Sequence, residues 1–282
     1  MKKFLFGALL SVSALTLAAC GADESKETST EKETTGKSEP TELVVGASNT
    51  PHAVILEEVK PLLEEQGIEL TIETYQDYIL PNKDLDSGDL DANYFQHIPY
   101  FESQKEEFGY DFTNAGGIHI EPIGLYSKKY GSIEELPDGA TILMSNSIAD
   151  HGRVLAMLEA KGLITLAEGV EKSVAEVKDI VENPKNLVFD ANYESALMVQ
   201  LFENEEGDAV LINSNYALDA GINPLEDSIA IEDSESPYVN IIAVNSGDED
   251  SEVIKALVEA LHSKEIQDFI VSEWGGSVVP VN

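Results

Sequence analysis

Hydrophobic and polar residues follow two periods along the chain after residue 40. Short apolar runs at 43–48 and 68–74 predict strands, and in the second run apolar residues alternate with Glu and Thr. Between them, apolar residues recur at helical spacing over 53–65, and a later helical pattern covers 170–181. Strand patterns that alternate with helix patterns predict an α/β protein with parallel sheets flanked by helices.

The pattern restarts after an extended segment at 118–127, which divides the body of the chain into two lobes. A last strand and two helices follow a polar break and return to the first lobe. We therefore predict one lobe from residues 41–125 plus 238–282 and a second lobe from residues 126–237. Two α/β lobes whose strand ends face each other form a ligand cleft that closes by hinge bending, an architecture typical of binding proteins.

The N-terminal residues have the composition of an export signal. A basic start precedes an apolar run at 4–19, which is too short for a membrane span. The run ends in Leu-Ala-Ala before Cys20 and resembles the bacterial lipobox, so residues 1–19 are interpreted as a lipoprotein signal peptide and Cys20 as the lipidated anchor. Cys20 is the only cysteine, which excludes an internal disulfide. Residues 20–40 are almost entirely polar and are expected to form a disordered tether.

The composition is strongly acidic, with 53 Asp and Glu residues against 17 Lys and Arg residues and a formal net charge of −36. Such a surface repels nucleic acid, and no basic stripe interrupts it. It also repels anionic lipid head groups, so the lipid on Cys20 is the expected means of membrane attachment. No later apolar run reaches the length of a membrane span. We expect an extracytoplasmic protein held by its lipid on the membrane of a single-membrane bacterium.

One stretch combines aromatic and polar side chains, and its sequence is Asn93-Tyr94-Phe95-Gln96-His97-Ile98-Pro99-Tyr100. It follows a predicted strand at 90–93, and Pro99 suits the first turn of a helix. The interleaved polar side chains Asn93, Gln96 and His97 require buried partners if the rings are buried. Rings between a strand's carboxyl end and a helix form one wall of a ligand cleft in an open α/β sheet.

Four further polar residues lie where the cleft is expected. Asp150 is a candidate N-cap of the helix after the predicted strand 140–144, and Arg153 falls in the first turn of that helix. Free N–H groups and the helix dipole attract anions there, and a guanidinium grips a carboxylate in bidentate fashion. Asn213 and Asn240 lie at or beside strands, where an amide can donate to a carboxylate or accept from an ammonium.

No catalytic constellation stands out. The sequence lacks a Gly-x-Ser-x-Gly elbow, a P-loop and a dinucleotide fingerprint, so neither an enzymatic activity nor a cofactor is expected. Four histidines, His52, His97, His119 and His151, fall where strand ends or helix starts meet the predicted cleft. Imidazoles with nearby carboxylates bind Zn²⁺ or Mn²⁺. A metal-binding lipoprotein using His97, His119 and His151 is therefore an alternative, although no His-x-His motif supports it.

Seven segments carry a family resemblance, and they run in order through nearly the whole body. They are the stretch at 93–100, Gly-Ile-His-Ile-Glu-Pro-Ile-Gly-Leu-Tyr-Ser at 117–127, Gly-Arg-Val-Leu at 152–155, Gly-Leu-Ile at 162–164, Ile-Asn-Ser-Asn-Tyr-Ala at 212–217, Pro-Tyr-Val-Asn-Ile-Ile-Ala-Val at 237–244 and Val-Val-Pro at 278–280. In these segments the sequence resembles the methionine-binding lipoproteins of bacterial ABC importers, the NlpA type.

The resemblance implies a two-lobed, periplasmic-binding-protein-like α/β fold with a free amino acid, methionine, buried in the cleft. It implies an ABC permease and its ATPase as partners. It also implies that Arg153 holds the α-carboxylate, while Asn213 and Asn240 fix the carboxylate and the ammonium. The side chains that then line the slot for the thioether are Tyr78, Phe95, His97 and Tyr100. Aromatic edges suit a polarizable sulfur atom.

The polar end of this expected site departs from the family pattern. Members usually show Pro-Asn-Asp and then a Thr/Ser-Asn pair before Gly-Arg, whereas residues 145–150 read Ser-Asn-Ser-Ile-Ala-Asp with His151 next. An acid at position 150 would contact an ammonium or cap the helix. A receptor for a methionine-containing dipeptide or for another amino acid is therefore an alternative. A surface adhesin or interaction protein is the alternative from a different functional class.

Overall fold

The computed structural model describes residues 40–233 and 236–281, which belong to one structural unit, Ser38–Asn282. The predicted signal peptide, the lipidated Cys20 and the tether up to residue 39 lie outside the described residues. Within the described part, no helix is both long and apolar enough to cross a membrane.

The described strands, in chain order, are β1 (Thr41–Ser48), β2 (Ile68–Tyr75), β3 (Ala92–His97), β4 (Phe112–Ile120), β5 (Gly124–Tyr126), β6 (Thr141–Ser145), β7 (Thr165–Leu166), β8 (Ile180–Glu182), β9 (Val188–Tyr193), β10 (Ala209–Ile212), β11 (Ala230–Ile231), β12 (Val239–Asn245) and β13 (Val279–Pro280). The α-helices are α1 (Val54–Glu64), α2 (Leu80–Ser87), α3 (Ile98–Phe108), α4 (Ile148–Ala160), α5 (Met198–Glu203), α6 (Ser214–Asp219), α7 (Pro224–Asp227), α8 (Glu252–Leu261) and α9 (Lys264–Trp274).

Two sheets organise the two lobes of this α/β fold. The sheet of the first lobe has the order β13-β4-β12-β3-β1-β2, and the sheet of the second lobe has the order β11-β5-β10-β6-β9. The chain passes to the second sheet after β4 and returns to the first in β12. The helices expected from the pattern flank both sheets, and separate apolar clusters fill their faces.

The prediction of parallel sheets is wrong in part, because both sheets are mixed. β1 pairs in parallel with β2 and β3, but β12 is antiparallel to β3 and β4. In the second sheet, β5 is antiparallel to β10 and β11. The chain enters β5 and β12 from the other lobe and not through a helical crossover from a neighbouring strand. No connection therefore requires these two strands to run parallel to their neighbours.

Three element predictions need correction. The strand predicted at 90–93 is β3, which extends to His97 and so contains much of the aromatic stretch. The helix α4 begins at Ile148 after Ser147, so Asp150 lies within its first turn and is not its N-cap. The helical pattern at 170–181 forms two short 3₁₀ turns, Lys172–Val174 and Val177–Asp179, followed by β8.

The failed helix at 170–181 has an identifiable physical cause. Its apolar stripe consists of β-branched valines, which have weak helix propensity. Val170 packs against the core, but Val174 and Val181 are 68% and 62% exposed, so the core covers only the start of that stripe. Glu176 and Asp179 form a reciprocal capping box that closes a single turn instead.

Candidate functional site

One narrow cavity lies between the two lobes and has an empty volume of about 390 Å³. The structure brings all seven binding residues expected from the sequence to its wall: Tyr78, Phe95, His97, Tyr100, Arg153, Asn213 and Asn240. Five residues that were not on that list complete the lining: Gln96, Glu121, Asp150, Ser214 and Asn215.

Aromatic rings form the end of the cavity that β3 and α3 provide. The ring centroids of Tyr78, Phe95 and Tyr100 lie 5.9–6.1 Å from one another, and the ring centroid of Tyr216 lies 5.0 Å from that of Tyr78 with the two planes tilted by 34°. These spacings are typical of attractive aromatic pairs. Burial raises the pKa of Tyr78 well above its usual value, so its hydroxyl stays a neutral donor. This end therefore offers an apolar, polarizable surface.

A buried amide network supports that aromatic wall from behind. Asn82 and Gln96 exchange hydrogen bonds of 3.1 and 2.8 Å, and Asn93 donates to Asn82 over 2.9 Å. Gln96 also donates to Asn93 over 2.9 Å. The expectation that Asn93, Gln96 and His97 need buried partners is confirmed. A fully paired polar network makes β3 rigid, which holds the rings in place.

His97 connects the aromatic wall to the polar end of the cavity. Its Nδ1 accepts a 3.1 Å hydrogen bond from the backbone N–H of Tyr100 and so caps α3. Its Nε2 lies 3.0 Å from Oδ1 of Asp150. Because a nitrogen that accepts a hydrogen bond carries no proton, this geometry makes His97 a neutral imidazole that donates from Nε2.

Arg153 is buried at the polar end, and most of its donors are already engaged. Its Nε and Nη2 donate to Oε2 of Glu232 at 3.0 and 2.5 Å, and Nη2 also donates to the carbonyl oxygen of Glu121 at 2.6 Å. Its Nη1 lies 3.5 Å from Oδ1 of Asp150. The guanidinium carbon lies 4.6 Å from the ring centroid of Tyr238. The position is the expected one, but the guanidinium is not an unpaired anion receptor.

Glu121 is a second buried carboxylate of the cavity. Its Oε1 accepts from Nε2 of His119 at 2.7 Å and lies 3.2 Å from Nε2 of His52. Burial opposes its charge, but His52 and His119 nevertheless hold the pKa of Glu121 below its usual value. Glu121 therefore presents a fixed negative charge to the cavity.

His52 sets the orientation of Asn240. Burial lowers the pKa of His52 to about 4, so the ring is neutral at pH 7. Its Nε2 donates towards Glu121 and towards Oδ1 of Asn240, which lies 3.1 Å away. Since the carbonyl oxygen of Asn240 is used in this way, its amide nitrogen is left to donate to a ligand.

The metal alternative is not supported in the form stated from the sequence, because His97, His119 and His151 do not converge. His151 donates from Nε2 to the carbonyl oxygen of Ser145 over 2.9 Å, away from the other two rings. Within residues 40–233 and 236–281, the group with metal-ligand spacing is His52, His119 and Glu121. Their mutual hydrogen bonds account for that spacing without an ion.

Hydrogen bonds around the cavity link the two lobes in a closed arrangement. The hydroxyl of Tyr78 donates to Asn215 over 2.6 Å, and that of Tyr216 donates to the carbonyl oxygen of Gln76 over 3.3 Å. On the same side, Asn49 and Thr50 each donate to Asp219 over 3.2 Å. Closure excludes water from the cavity, which strengthens each polar contact inside it.

Sequence reasoning missed the two acidic groups that matter most here, Glu121 and Glu232. A signal for Glu121 was present, since this carboxylate directly follows the apolar strand residues Ile118 and Ile120, where a buried charge requires partners. Glu232 lies in a polar loop with other acids, and its sequence context carries no comparable signal.

Comparisons with known proteins agree with this fold. The family model described as NlpA lipoprotein matches residues 43–282. The methionine-binding lipoprotein MetQ of Bacillus subtilis is 50% identical over 284 residues, covering all of both chains. A crystal structure of a pheromone cOB1 precursor/lipoprotein of the YaeC family from Enterococcus faecalis is 57% identical, with a TM-score of 0.84 over 86% of this chain and 100% of that one. A nutrient-binding protein from Burkholderia cenocepacia bound to methionine is 39% identical, with a TM-score of 0.79 over 85% of this chain and 100% of its own. The chain therefore belongs to the NlpA lipoprotein family.

Proposed function

We propose that this protein is a lipid-anchored substrate-binding protein that encloses free methionine and delivers it to an ABC permease with its ATPase. One observation carries the proposal, namely an enclosed cavity with aromatic rings at one end and fixed charges and amides at the other. A zwitterionic amino acid with an apolar side chain matches both ends. The names of the relative from Bacillus subtilis and of the methionine-bound neighbour support the same ligand.

In this proposal, each end of the cavity binds one part of the ligand. Phe95, Tyr78 and Tyr100 contact the thioether, because sulfur interacts favourably with aromatic rings. Arg153 and the amides of Asn213 and Asn240 donate to the α-carboxylate. The ligand's ammonium lies against Glu121, whose ionised carboxylate accepts from it. The protein binds and releases the ligand and catalyses no reaction on it.

The proposal extends to the membrane and to the motion of the lobes. Lipid on Cys20 holds the protein at the extracytoplasmic face of the cell membrane, and residues 20–40 form the tether. The lobe of residues 41–125 plus 238–282 and the lobe of residues 126–237 close on the ligand as hinged bodies. The cross-lobe hydrogen bonds of Tyr78 and Tyr216 support this closure.

The first test is mass spectrometry of the small molecules released when the purified protein is denatured. Free methionine is the expected result, and a dipeptide or another amino acid would keep the transport role but change the ligand. A metal ion with no organic ligand, or no ligand together with no binding heat on titration with methionine, would refute the proposal.

A matched pair of variants tests the aromatic end. Phe95 lines the cavity, whereas Phe112 is equally buried in an apolar cluster away from it. We expect Phe95→Leu to weaken methionine binding roughly two- to tenfold, since a sulfur–aromatic contact contributes about 0.3–1.5 kcal/mol. Phe112→Leu should lower stability but leave the affinity unchanged. Equal affinities for the two variants in isothermal titration calorimetry would contradict the assignment.

A further inference from the structure

Asp150 occupies the donors that a ligand carboxylate would need. Its Oδ1 accepts from Nε2 of His97 at 3.0 Å, and its Oδ2 accepts from the amide of Asn213 at 3.3 Å. Nη1 of Arg153 lies 3.5 Å from Oδ1. The side chain is 4% exposed, so the carboxylate belongs to the interior of the site. Two of these three partners, Arg153 and Asn213, are residues that the proposed function assigns to the ligand's α-carboxylate.

The negative charge of Asp150 faces one cation, Arg153, which it shares with Glu232. His97 is neutral in this geometry, because its Nδ1 accepts from the backbone of Tyr100. Arg153 is the cation that faces Asp150, and it is already paired with Glu232. Two carboxylates therefore share one guanidinium before any ligand enters.

The other titratable groups around Asp150 are neutral or acidic. Tyr78, Tyr100 and Tyr238 face it from the neighbouring elements, and burial raises the pKa of each of these hydroxyls. Glu121 adds a further negative charge to the cavity wall. Burial opposes ionisation of Asp150, yet its bond from His97, the charge of Arg153 and the amide of Asn213 hold its pKa below the usual value. The unliganded site therefore contains an ionised Asp150.

A ligand with a free carboxylate would bring a third negative group to Arg153. Asp150 and Glu232 already share this one guanidinium, so a third carboxylate raises the cost of keeping all of them ionised, and one of them takes up a proton. We propose that Asp150 is a specificity-determining residue, an internal carboxylate that gives up its donors to the ligand's acid group only when it takes up a proton from solvent. The proton adds to a carboxylate oxygen of Asp150 and forms an O–H group, which can then donate to the ligand. Ligands that present an amide in place of the acid bind without this proton.

This inference rests on the proposed function and is tested by titration calorimetry of the full-length protein in detergent, freed of ligand by dialysis. L-methionine is titrated at pH 6 in buffers with different ionisation enthalpies, and the buffer dependence of the heat gives the number of protons taken up. We expect uptake approaching one proton with L-methionine and none with L-methioninamide. Between pH 5 and 7 the affinity for methionine should fall by up to about tenfold per pH unit.

Asp150→Asn removes the charge and keeps the shape of the side chain. We expect this variant to bind methionine roughly tenfold or more tightly at pH 7, with no proton uptake and a flat pH profile. Glu203→Gln is the control, since it removes one acid from an exposed ion pair with Lys128 and should leave both the affinity and the proton uptake as in the native protein. A thermal melt establishes that each variant is folded.

The outcomes separate the two proposals. Methionine binding by the native protein without proton uptake would overturn the role of Asp150 and leave the proposed function intact, and this measurement needs no variant. Proton uptake that persists in Asp150→Asn would also overturn it, because another group would then be the acceptor. No binding of methionine by either protein at any pH would overturn the proposed function and this inference together.

Discussion

The buried pair of Arg153 and Glu232 should be strongly coupled in its effect on stability. The two side chains are 3% and 10% exposed, and two nitrogens of the guanidinium donate to one carboxylate oxygen. The ring of Tyr238 covers the guanidinium, an arrangement that favours the cation. Glu232 also accepts from the backbone N–H of Ile123 at the passage between the lobes.

The magnitude follows from what each variant leaves behind. Arg153→Met leaves the carboxylate of Glu232 without its main partner, and removing one member of a buried ion pair costs about 3–5 kcal/mol. Glu232→Gln keeps a hydrogen-bond acceptor beside Arg153, which still has Asp150, so we expect a loss of about 1–3 kcal/mol. The double variant leaves neither charge unpaired and should be more stable than Arg153→Met alone.

The assay is guanidinium chloride unfolding of the native protein, the two single variants and the double variant, without ligand. The matched control is Lys128→Met, which breaks the exposed pair with Glu203 and should cost about 0–1 kcal/mol. If the loss in the double variant equals the sum of the two single losses, the residues are not coupled. The interpretation of Arg153 and Glu232 as a coupled buried ion pair would then be wrong.

Three further predictions concern other parts of the structure. Burial lowers the pKa of His52 to about 4, so the unfolded chain binds a proton first, and the free energy of unfolding should fall by about 3 kcal/mol as the pH falls from 6.5 to 4. His52→Gln should flatten that part of the plot of unfolding free energy, measured with urea, against pH. An unchanged plot would refute the claim that His52 is buried as a neutral ring. Tyr78→Phe removes the hydroxyl that donates to Asn215 across the cleft. Because such a hydrogen bond contributes about 1 kcal/mol, the affinity for methionine measured by calorimetry should weaken roughly fivefold. Unchanged affinity would mean that this bond does not favour closure. Gly152→Ala would place a Cβ atom 2.3 Å from a backbone carbonyl oxygen and should lower the free energy of unfolding by about 1–3 kcal/mol. The control is Gly131→Ala, whose Cβ would lie 3.6 Å from its nearest neighbour and which should leave the melting temperature nearly unchanged. Equal melting temperatures for the two variants would show that the contact at Gly152 relaxes.

Local sequence determined most of the strands, most of the helices and the chemistry of the cavity wall. Gly88 and Gly109 follow α2 and α3 with φ of +80° and +75°, which glycine adopts without strain, so helix ends were readable from the chain. The aromatic stretch was recognisable because polar side chains interleaved with rings need partners that only a built site supplies. Arg153, Asn213 and Asn240 were found from helix and strand ends together with the family resemblance.

Tertiary structure alone decided which charges meet. Glu232 is 79 residues from Arg153, and Asp150 is 53 residues from His97. In a chain with 53 acidic residues, sequence spacing does not indicate which carboxylates lie beside the one guanidinium of the site. Tertiary packing also decided the segment 170–181, because a helical stripe of valines forms a helix only where a core covers it. The hydrophobic period and helix capping depend on residues that are close in the sequence. Burial and charge pairing depend on residues that only the folding of the whole chain brings together.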